Sequence, residues 1–190
     1  MTVVQGIVLT GGKSRRMGKD KSTLYLGGKS FTEHIIDALL SLTRDILVVG
    51  PEMDFKNFKG RFLMDIYADK GPASGILTGL TESTHEINLI LSCDVPLIKD
   101  CLLKDLLNRY KGEDVLICKQ GNQVHPLLGI YHKRCSTIIK NCIEKNKLKM
   151  TDILDELKVE YYSVPDIWKD QLVNVNLPGQ YEKLKNEYSN

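Results

Sequence analysis

Ile7 to Tyr25 reads IVLTGGKSRRMGKDKSTLY, an apolar run that stops at Thr10 and gives way to a segment with three glycines and five Lys or Arg residues. Val3 to Leu9 has the composition of a short buried strand, and its abrupt end at Thr10, Gly11 and Gly12 marks a turn where a ligand can approach the backbone. Two successive glycines leave no Cβ in the way, so their N–H groups can face an anion in a concave nest. Lys13, Arg15, Arg16, Lys19 and Lys21 fall within nine residues. Like charges at that density repel unless solvent or a polyanion screens them, and triphosphate is the natural candidate. An ordinary solvated turn is the competing reading. Position favours the binding loop, because ligands of α/β sheets bind at the carboxyl ends of strands. Walker A does not fit, since Ile7 and Thr23 stand where its first Gly is needed ahead of Gly12-Lys13-Ser14 and Gly28-Lys29-Ser30, and no G-x-G-x-x-G occurs.

At 190 residues the chain is a single domain able to bury a core without metal or disulfide staples. A net charge of +2 and a hydrophobic fraction of 42% give neither disorder nor general nucleic-acid binding. Cys93, Cys101, Cys118, Cys135 and Cys142 form no C-x-x-C pair and are odd in number, as expected of reduced, mostly buried thiols rather than zinc ligands. No secretory leader is expected and no apolar stretch approaches a bilayer-spanning length, so the expected location is the cytoplasm, away from membranes.

Strands and helices are expected to alternate. Helices are read over Phe31–Leu42, with Ser30 or Thr32 as cap, Gly71–Ser83, Leu97–Tyr110 and Cys135–Lys145; strands are read over Ile46–Val49, Phe62–Met64, Ile87–Leu91, Val115–Cys118 and Leu127–Tyr131. That alternation implies a single-domain, Rossmann-like three-layer α/β sandwich on a mostly parallel central sheet.

Four further places carry candidate chemistry. Asp94 follows directly on the apolar strand LILSC, where a carboxylate can hold Mg²⁺ against phosphate oxygens or cap a helix starting near Ile98. Asp65 and Asp69 flank the end of the third strand, where either could bind a ligand or merely end the strand. His125 precedes Pro126, which stiffens the chain there; an imidazole at that point can hydrogen-bond a phosphate or be a structural histidine. Asn174 and Asn176 face one side of an extended segment, as ligand contacts or as caps of a terminal helix.

Leu9-Thr10-Gly11-Gly12-Lys13-Ser14-Arg15-Arg16-Met17-Gly18-Lys19-Asp20-Lys21 resembles the L-x-G-G-x-S-x-R-M-G-x-D-K signature of the MobA family, molybdenum cofactor guanylyltransferases within the nucleotidyltransferase superfamily. Thr10 replaces the usual Ala. Related cytidylyltransferases typically carry Ala-Gly or Ala-Ala where guanylyltransferases show Gly-Gly, so Gly11-Gly12 favours guanine. Met64 to Gly75 resembles the family's D…G-P-L-x-G stretch, with Ala73-Ser74 for the commoner Leu-Ala and Asp65 or Asp69 as the nucleotide contact. Cys93-Asp94-Val95-Pro96 resembles its metal-binding step, His125-Pro126 its H-P motif, and Asn174-Val175-Asn176-Leu177-Pro178 its N-x-N-T-P, with Leu177 for Thr.

The resemblance implies transfer of GMP from GTP to molybdenum-molybdopterin, with Mg²⁺, or Mn²⁺ in its place, on Asp94. It implies a nucleotide site of Leu9, Thr10, Gly11, Gly12, Lys21, Asp65 and Asp94, catalysis by Lys21, Arg16 and Asp94, and an acceptor site with His125, Asn174 and Asn176. Nucleotide binding would fall to residues 1 to about 110 and acceptor binding to the rest. A molybdoenzyme apoprotein or its chaperone would be a transient partner. The other classes are a cytidylyltransferase for the same cofactor, a sugar-phosphate nucleotidyltransferase, and a non-catalytic module delivering nucleotide or cofactor.

Overall fold

The computed structural model describes residues 3–11, 24–53, 55 and 58–188. Gly12, Arg16 and Lys21, with the rest of 12–23, lie outside the described residues.

β1 (Gln5–Leu9) is buried along its whole length. Its alternating side chains serve two different cores, as the twofold repeat of a strand requires. Val8 packs with Ile35, Leu39, Leu102 and Leu106 of α1 (Phe31–Leu40) and α3 (Asp100–Arg109). Ile7 packs with Ile76, Leu80 and Ile139 of α2 (Pro72–Glu82) and α4 (Cys135–Glu144) on the other face. Two helical layers therefore enclose one sheet, the expected sandwich.

The hairpin β2 (Tyr25–Leu26) and β3 (Lys29–Ser30) leads into α1. Of the two candidate caps, Ser30 is the one used: its Oγ accepts from the Glu33 N–H at 3.2 Å, while Glu33 reaches back to the Ser30 N–H at 2.7 Å. This reciprocal box satisfies two otherwise open donors.

β4 (Ile46–Val49) and β5 (Arg61–Leu63) extend the sheet from one side of β1, and β6 (Ile87–Ser92), β8 (Gln123–His132), β7 (Val115–Gln120) and β9 (Val159–Ser163) from the other, in the order β5-β4-β1-β6-β8-β7-β9. β8 runs antiparallel to both neighbours and the remaining pairs are parallel. α5 (Met150–Leu154), a 3-10 turn (Asp166–Leu172) and α6 (Pro178–Tyr188) complete the chain.

Chain direction reverses its placement at β1: β4 and β5 lie to one side and β6 to the other, with α1 and α2 on opposite faces. That topological switch lies at the carboxyl ends of β1 and β6, the place where open α/β sheets bind ligands.

Several expected boundaries shift by one or two residues, with β1 beginning at Gln5 rather than Val3 and α1 ending at Leu40 rather than Leu42, and two shift further. α3 begins at Asp100 with Lys99 as its flanking residue, not near Ile98. β8 begins four residues before Leu127, because His125 and Pro126 lie inside the strand. Pro126 is accommodated at a register break: Ile117 pairs with Gly129 and the next residue, Cys118, with His125. Residues 126–128 are thus looped out from β7, which is where a strand tolerates proline.

Candidate active site

At the end of β1, Thr10 is anchored twice on β4, its N–H donating to the Val49 carbonyl at 2.9 Å and its hydroxyl to the same oxygen at 3.1 Å. Gly11 then emerges at the surface. Gly50, which ends β4, passes so close that a Cβ there would lie 2.2 Å from Thr10 Oγ1 and 2.9 Å from Gly11 N, and its φ of +142° is one that only glycine adopts readily. In sequence Gly50-Pro51 signals no more than the end of a strand.

Asp65 follows β5 and lies against this corner. A Cβ built on Gly11 would stand 3.6 Å from Asp65 Oδ2, and one on Gly75 3.5 Å from Oδ1. Oδ1 is buried without a hydrogen-bond partner among the described residues. Burial pushes the Asp65 carboxyl up, the expected response of a charge withdrawn from water. Asp69, four residues on, is exposed and takes a left-handed φ of 61°.

The loop between them is tied to α2 by two hydroxyls. Thr78 Oγ1 accepts from Ile66 N at 3.0 Å, and Ser74 Oγ accepts from Tyr67 N at 3.2 Å and donates to Tyr67 O at 2.8 Å. Ser74, a departure from the commoner residue of the motif, thus holds the loop that presents Asp65. Nothing in the linear pattern marks that role.

Across the switch point, the Cys93 N–H donates to the Leu9 carbonyl at 3.1 Å, extending the β1–β6 pairing by one residue and setting Asp94 beside the Gly-rich corner. The Asp94 carbonyl accepts from Val175 N at 2.9 Å. Its half-buried carboxylate has no hydrogen bond or ion pair among the described residues, and α3 begins too far on for Asp94 to cap it.

A hard carboxylate without a partner among the described residues, beside a segment suited to phosphates, fits Mg²⁺, which asks for one or two carboxylates and fills its octahedron with water and substrate oxygens. No group of three or more His, Cys, Asp or Glu residues suited to a metal occurs among the described residues.

His125 comes to the same edge from β8. It is 7% exposed, and its Nε2 is buried without a partner among the described residues. Burial pushes the imidazole down, with the Asp94 charge opposing, so the ring is neutral at pH 7. His125 pairs with Cys118, and the looped-out residues 126–128 follow directly on it. Tyr131 fixes the bulge from within the core, donating its hydroxyl to the Pro126 carbonyl at 2.7 Å.

Asn174 and Asn176 share one face, the Asn176 amide donating to Asn174 Oδ1. The amides entering α6 are met by Gln180, whose Oε1 accepts from Asn176 N at 2.7 Å and Leu177 N at 2.9 Å. Both asparagines line a pocket of about 450 Å³ whose other walls include Gln120, Gln123, Lys169 and Gln180. Gln120 and Gln123 face each other across the β7–β8 hairpin end, and their isolated positions in the sequence give no hint of this clustering.

Burial pushes the Cys118 thiol up and that of Cys135 to about 12, so neither is a thiolate at neutral pH. Among the described residues no helix is long and apolar enough to cross a membrane.

The chain also matches known proteins along most of its length. The family described as the MobA-like NTP transferase domain matches residues 6–160. A probable molybdenum cofactor guanylyltransferase of Flavobacterium johnsoniae is 36% identical over 185 residues, covering 97% of each chain. A molybdenum cofactor guanylyltransferase of Campylobacter jejuni is 30% identical over 186 residues, covering 95% of each. Among solved structures, molybdopterin-guanine dinucleotide biosynthesis protein A of Archaeoglobus fulgidus superposes with a TM-score of 0.81 at 24% identity, over 97% of this chain and 98% of that one. The 2-C-methyl-D-erythritol 4-phosphate cytidylyltransferase of Thermus thermophilus gives a TM-score of 0.74 at 12% identity over the whole of both chains, a likeness of fold. With the family match over residues 6–160 and a relative 36% identical over nearly the whole of both chains, the chain belongs to the MobA-like NTP transferase family.

Proposed function

We propose that this protein transfers GMP from GTP to molybdenum-molybdopterin, giving the guanine dinucleotide cofactor and pyrophosphate. The observation that carries the reading is the placing of Gly11 and Asp94 each two residues beyond the paired ends of β1 and β6, Leu9 and Ser92, in a chain so similar over its length to a probable guanylyltransferase.

GTP lies over Leu9, Thr10, Gly11 and Gly12, with the residues up to about 110 forming the nucleotide half. The base is read by backbone groups at Leu9 to Gly11 and by the Asp65 carboxylate, which accepts from the N–H donors of guanine. Asp94 holds Mg²⁺, which when bound neutralises phosphate charge. A terminal phosphate oxygen of the acceptor attacks the α phosphorus in line; the new P–O bond forms as the bond to the bridging oxygen breaks, and pyrophosphate carries away the electron pair. That nucleophile is already an anion, so no general base is needed. Lys21 and Arg16 stabilise the charge that develops on the phosphoryl oxygens.

The acceptor half, beyond about residue 110, supplies neutral His125 to hydrogen-bond the acceptor phosphate and Asn174 and Asn176 to orient it. The amide-lined pocket beside the asparagines offers paired donors and acceptors of the kind a pterin presents. Delivery of the product involves transient contact with a molybdoenzyme apoprotein or its chaperone.

The test is pyrophosphate release from the purified protein with Mg²⁺ and each of GTP, CTP, ATP and UTP, with and without molybdate-loaded molybdopterin. Release is expected only with GTP and acceptor together. Release with CTP alone among the nucleotides would make the protein a cytidylyltransferase, and release only with a sugar phosphate would change the acceptor.

Asp65→Asn gives a sharper check on the base site. Because the folded protein raises the Asp65 pKa, the native state binds more protons than the unfolded chain from about pH 3.8 up to the raised value. Stability therefore falls as pH rises through that window, and the ionised carboxylate is a cost to the free protein at pH 7. Asp65→Asn is expected to melt no lower than the parent at pH 7, yet to bind GTP about 10-fold to 100-fold more weakly, a loss on the scale of a charged hydrogen bond. Calorimetric titration and a thermal melt measure the two; unchanged GTP affinity would remove Asp65 from the site.

A further inference from the structure

Besides the two cores flanking the sheet, the molecule has a small third one: Leu24, Leu26, Phe31, Val175 and Leu184, with Leu97 and Tyr181 against its rim. Its members come from three segments next to candidate site residues: the chain after the basic loop, the turn after Asp94 and the segment of the two asparagines. Leu24 and Leu26 follow directly on the chain of the basic loop. Leu97 lies three residues beyond Asp94, and Val175 stands between Asn174 and Asn176. Leu184 and Tyr181 belong to α6, which closes the cluster.

Polar contacts join the same segments. Val175 N donates to the Asp94 carbonyl at 2.9 Å, Phe31 N to the Leu24 carbonyl at 2.8 Å, and the Tyr181 hydroxyl to the Tyr25 carbonyl at 2.8 Å. The Tyr181 ring meets Phe31 edge-on at 5.9 Å, a favourable aromatic geometry. The core buries only five side chains, so it is a locally marginal unit that ligands can order or loosen.

We propose that α6, through Tyr181 and Leu184, couples the nucleotide-binding and acceptor-binding segments, so that filling the nucleotide site orders Asn174 and Asn176 for the acceptor. Tyr181 and Leu184 are positioning residues that act through this third core. The proposal rests on GTP as the nucleotide. A ligand that orders a shared element lowers the cost of ordering it for the next, and the effect is reciprocal.

Hydrogen exchange on the full chain tests this, with Mg²⁺ and the non-hydrolysable α,β-methylene analogue of GTP as probe. In the parent protein the analogue slows amide exchange at 24–31 and also at 173–184. In Tyr181→Phe, which keeps the ring and loses the hydroxyl, and in Leu184→Ala, the slowing at 24–31 persists while that at 173–184 weakens by about 5-fold or more, the lower range of ordinary site-to-site coupling. Leu103→Ala, a deletion in the main core on α3, lowers general stability but keeps both effects. In steady state the two α6 variants raise the acceptor KM more than they lower kcat.

Slowing confined to 24–31 in the parent, or identical patterns in parent and variants, overturns the coupling and leaves the GTP reading standing. No slowing at 3–11 or 24–31 with the GTP analogue overturns the GTP reading, and the coupling with it.

Discussion

Asp94→Ala is expected to lower kcat for pyrophosphate release by about 100-fold to 1000-fold, equivalent to about 2.7–4 kcal/mol of lost transition-state stabilisation, while the thermal midpoint stays within about 2 °C of the parent. The two halves of that expectation have separate causes. The carboxylate has no partner among the described residues, so its removal breaks no contact among them. What fixes the turn is the backbone: Cys93 N on Leu9 O and Val175 N on Asp94 O, both of which alanine retains. In the proposed reaction the charge serves the substrates. Asp94→Asn separates charge from shape, since it keeps the size and one oxygen but loses the affinity for a divalent ion; a similar fall in rate is expected, with a higher Mg²⁺ requirement. A further readout comes from His125, whose pKa Asp94 holds up against burial. In Asp94→Ala the imidazole should titrate lower still, visible by NMR. Either variant retaining most of its turnover would remove Asp94 from the reaction.

The sequence makes the parallel half of the sheet legible because strands buried on both faces write continuous apolar runs that end at Gly, Pro or Asp. Ile46–Val49 agrees with β4 to the residue. The antiparallel part is harder to read. In β8 the looped-out residues after His125 interrupt alternation, so its polar beginning looks like a connection. β9 is an edge strand with only Tyr162 fully buried, too weak a pattern to separate from a loop. Leu97 and Ile98 continue the apolar pattern of α3, yet they precede it because Leu97 is used by the third core instead.

The candidate site divides in the same way. Asp65, Asp94 and His125 are legible as polar residues beside strands or proline. The side chains that aim them are not: Ser74 and Thr78 clamp the Asp65 loop, and Tyr131 fixes the bulge beside His125, through contacts across 5 to 12 residues. Such roles depend on which helix turn meets which loop, and residue type does not encode them. Among the described residues three buried side-chain atoms lack a hydrogen-bond partner, Asn88 Oδ1 within β6 and, at this edge, Asp65 Oδ1 and His125 Nε2; the latter two are a structural signature that linear reading lacks, since buried polar atoms ordinarily find partners.

Gly50→Ala is expected to destabilise the protein by about 3 kcal/mol through overpacking and backbone strain together, about 6–12 °C in the melting midpoint for a chain of this size. Nucleotide affinity should fall by more than 10-fold besides. The reason lies in what surrounds the missing methyl. Thr10 Oγ1 would be 2.2 Å away and Gly11 N 2.9 Å away, and a φ of +142° disfavours any side chain. Relief requires moving the β1 end away from β4, but the two Thr10 bonds to the Val49 carbonyl resist that motion. Whichever gives way, Gly11 shifts, and with it the surface offered to the nucleotide opposite Asp65. Thr10→Ala should not rescue the variant: it removes the hydroxyl but leaves the backbone nitrogen and the strained φ, and it deletes one of the bonds anchoring the corner. Gly28→Ala is the contrasting case, with a positive φ of 84° but open space around its Cβ, so it should cost stability through strain alone and leave GTP affinity near the parent value. Equal effects of the two substitutions on GTP binding would mean that the Gly50–Gly11 contact does not shape the nucleotide site.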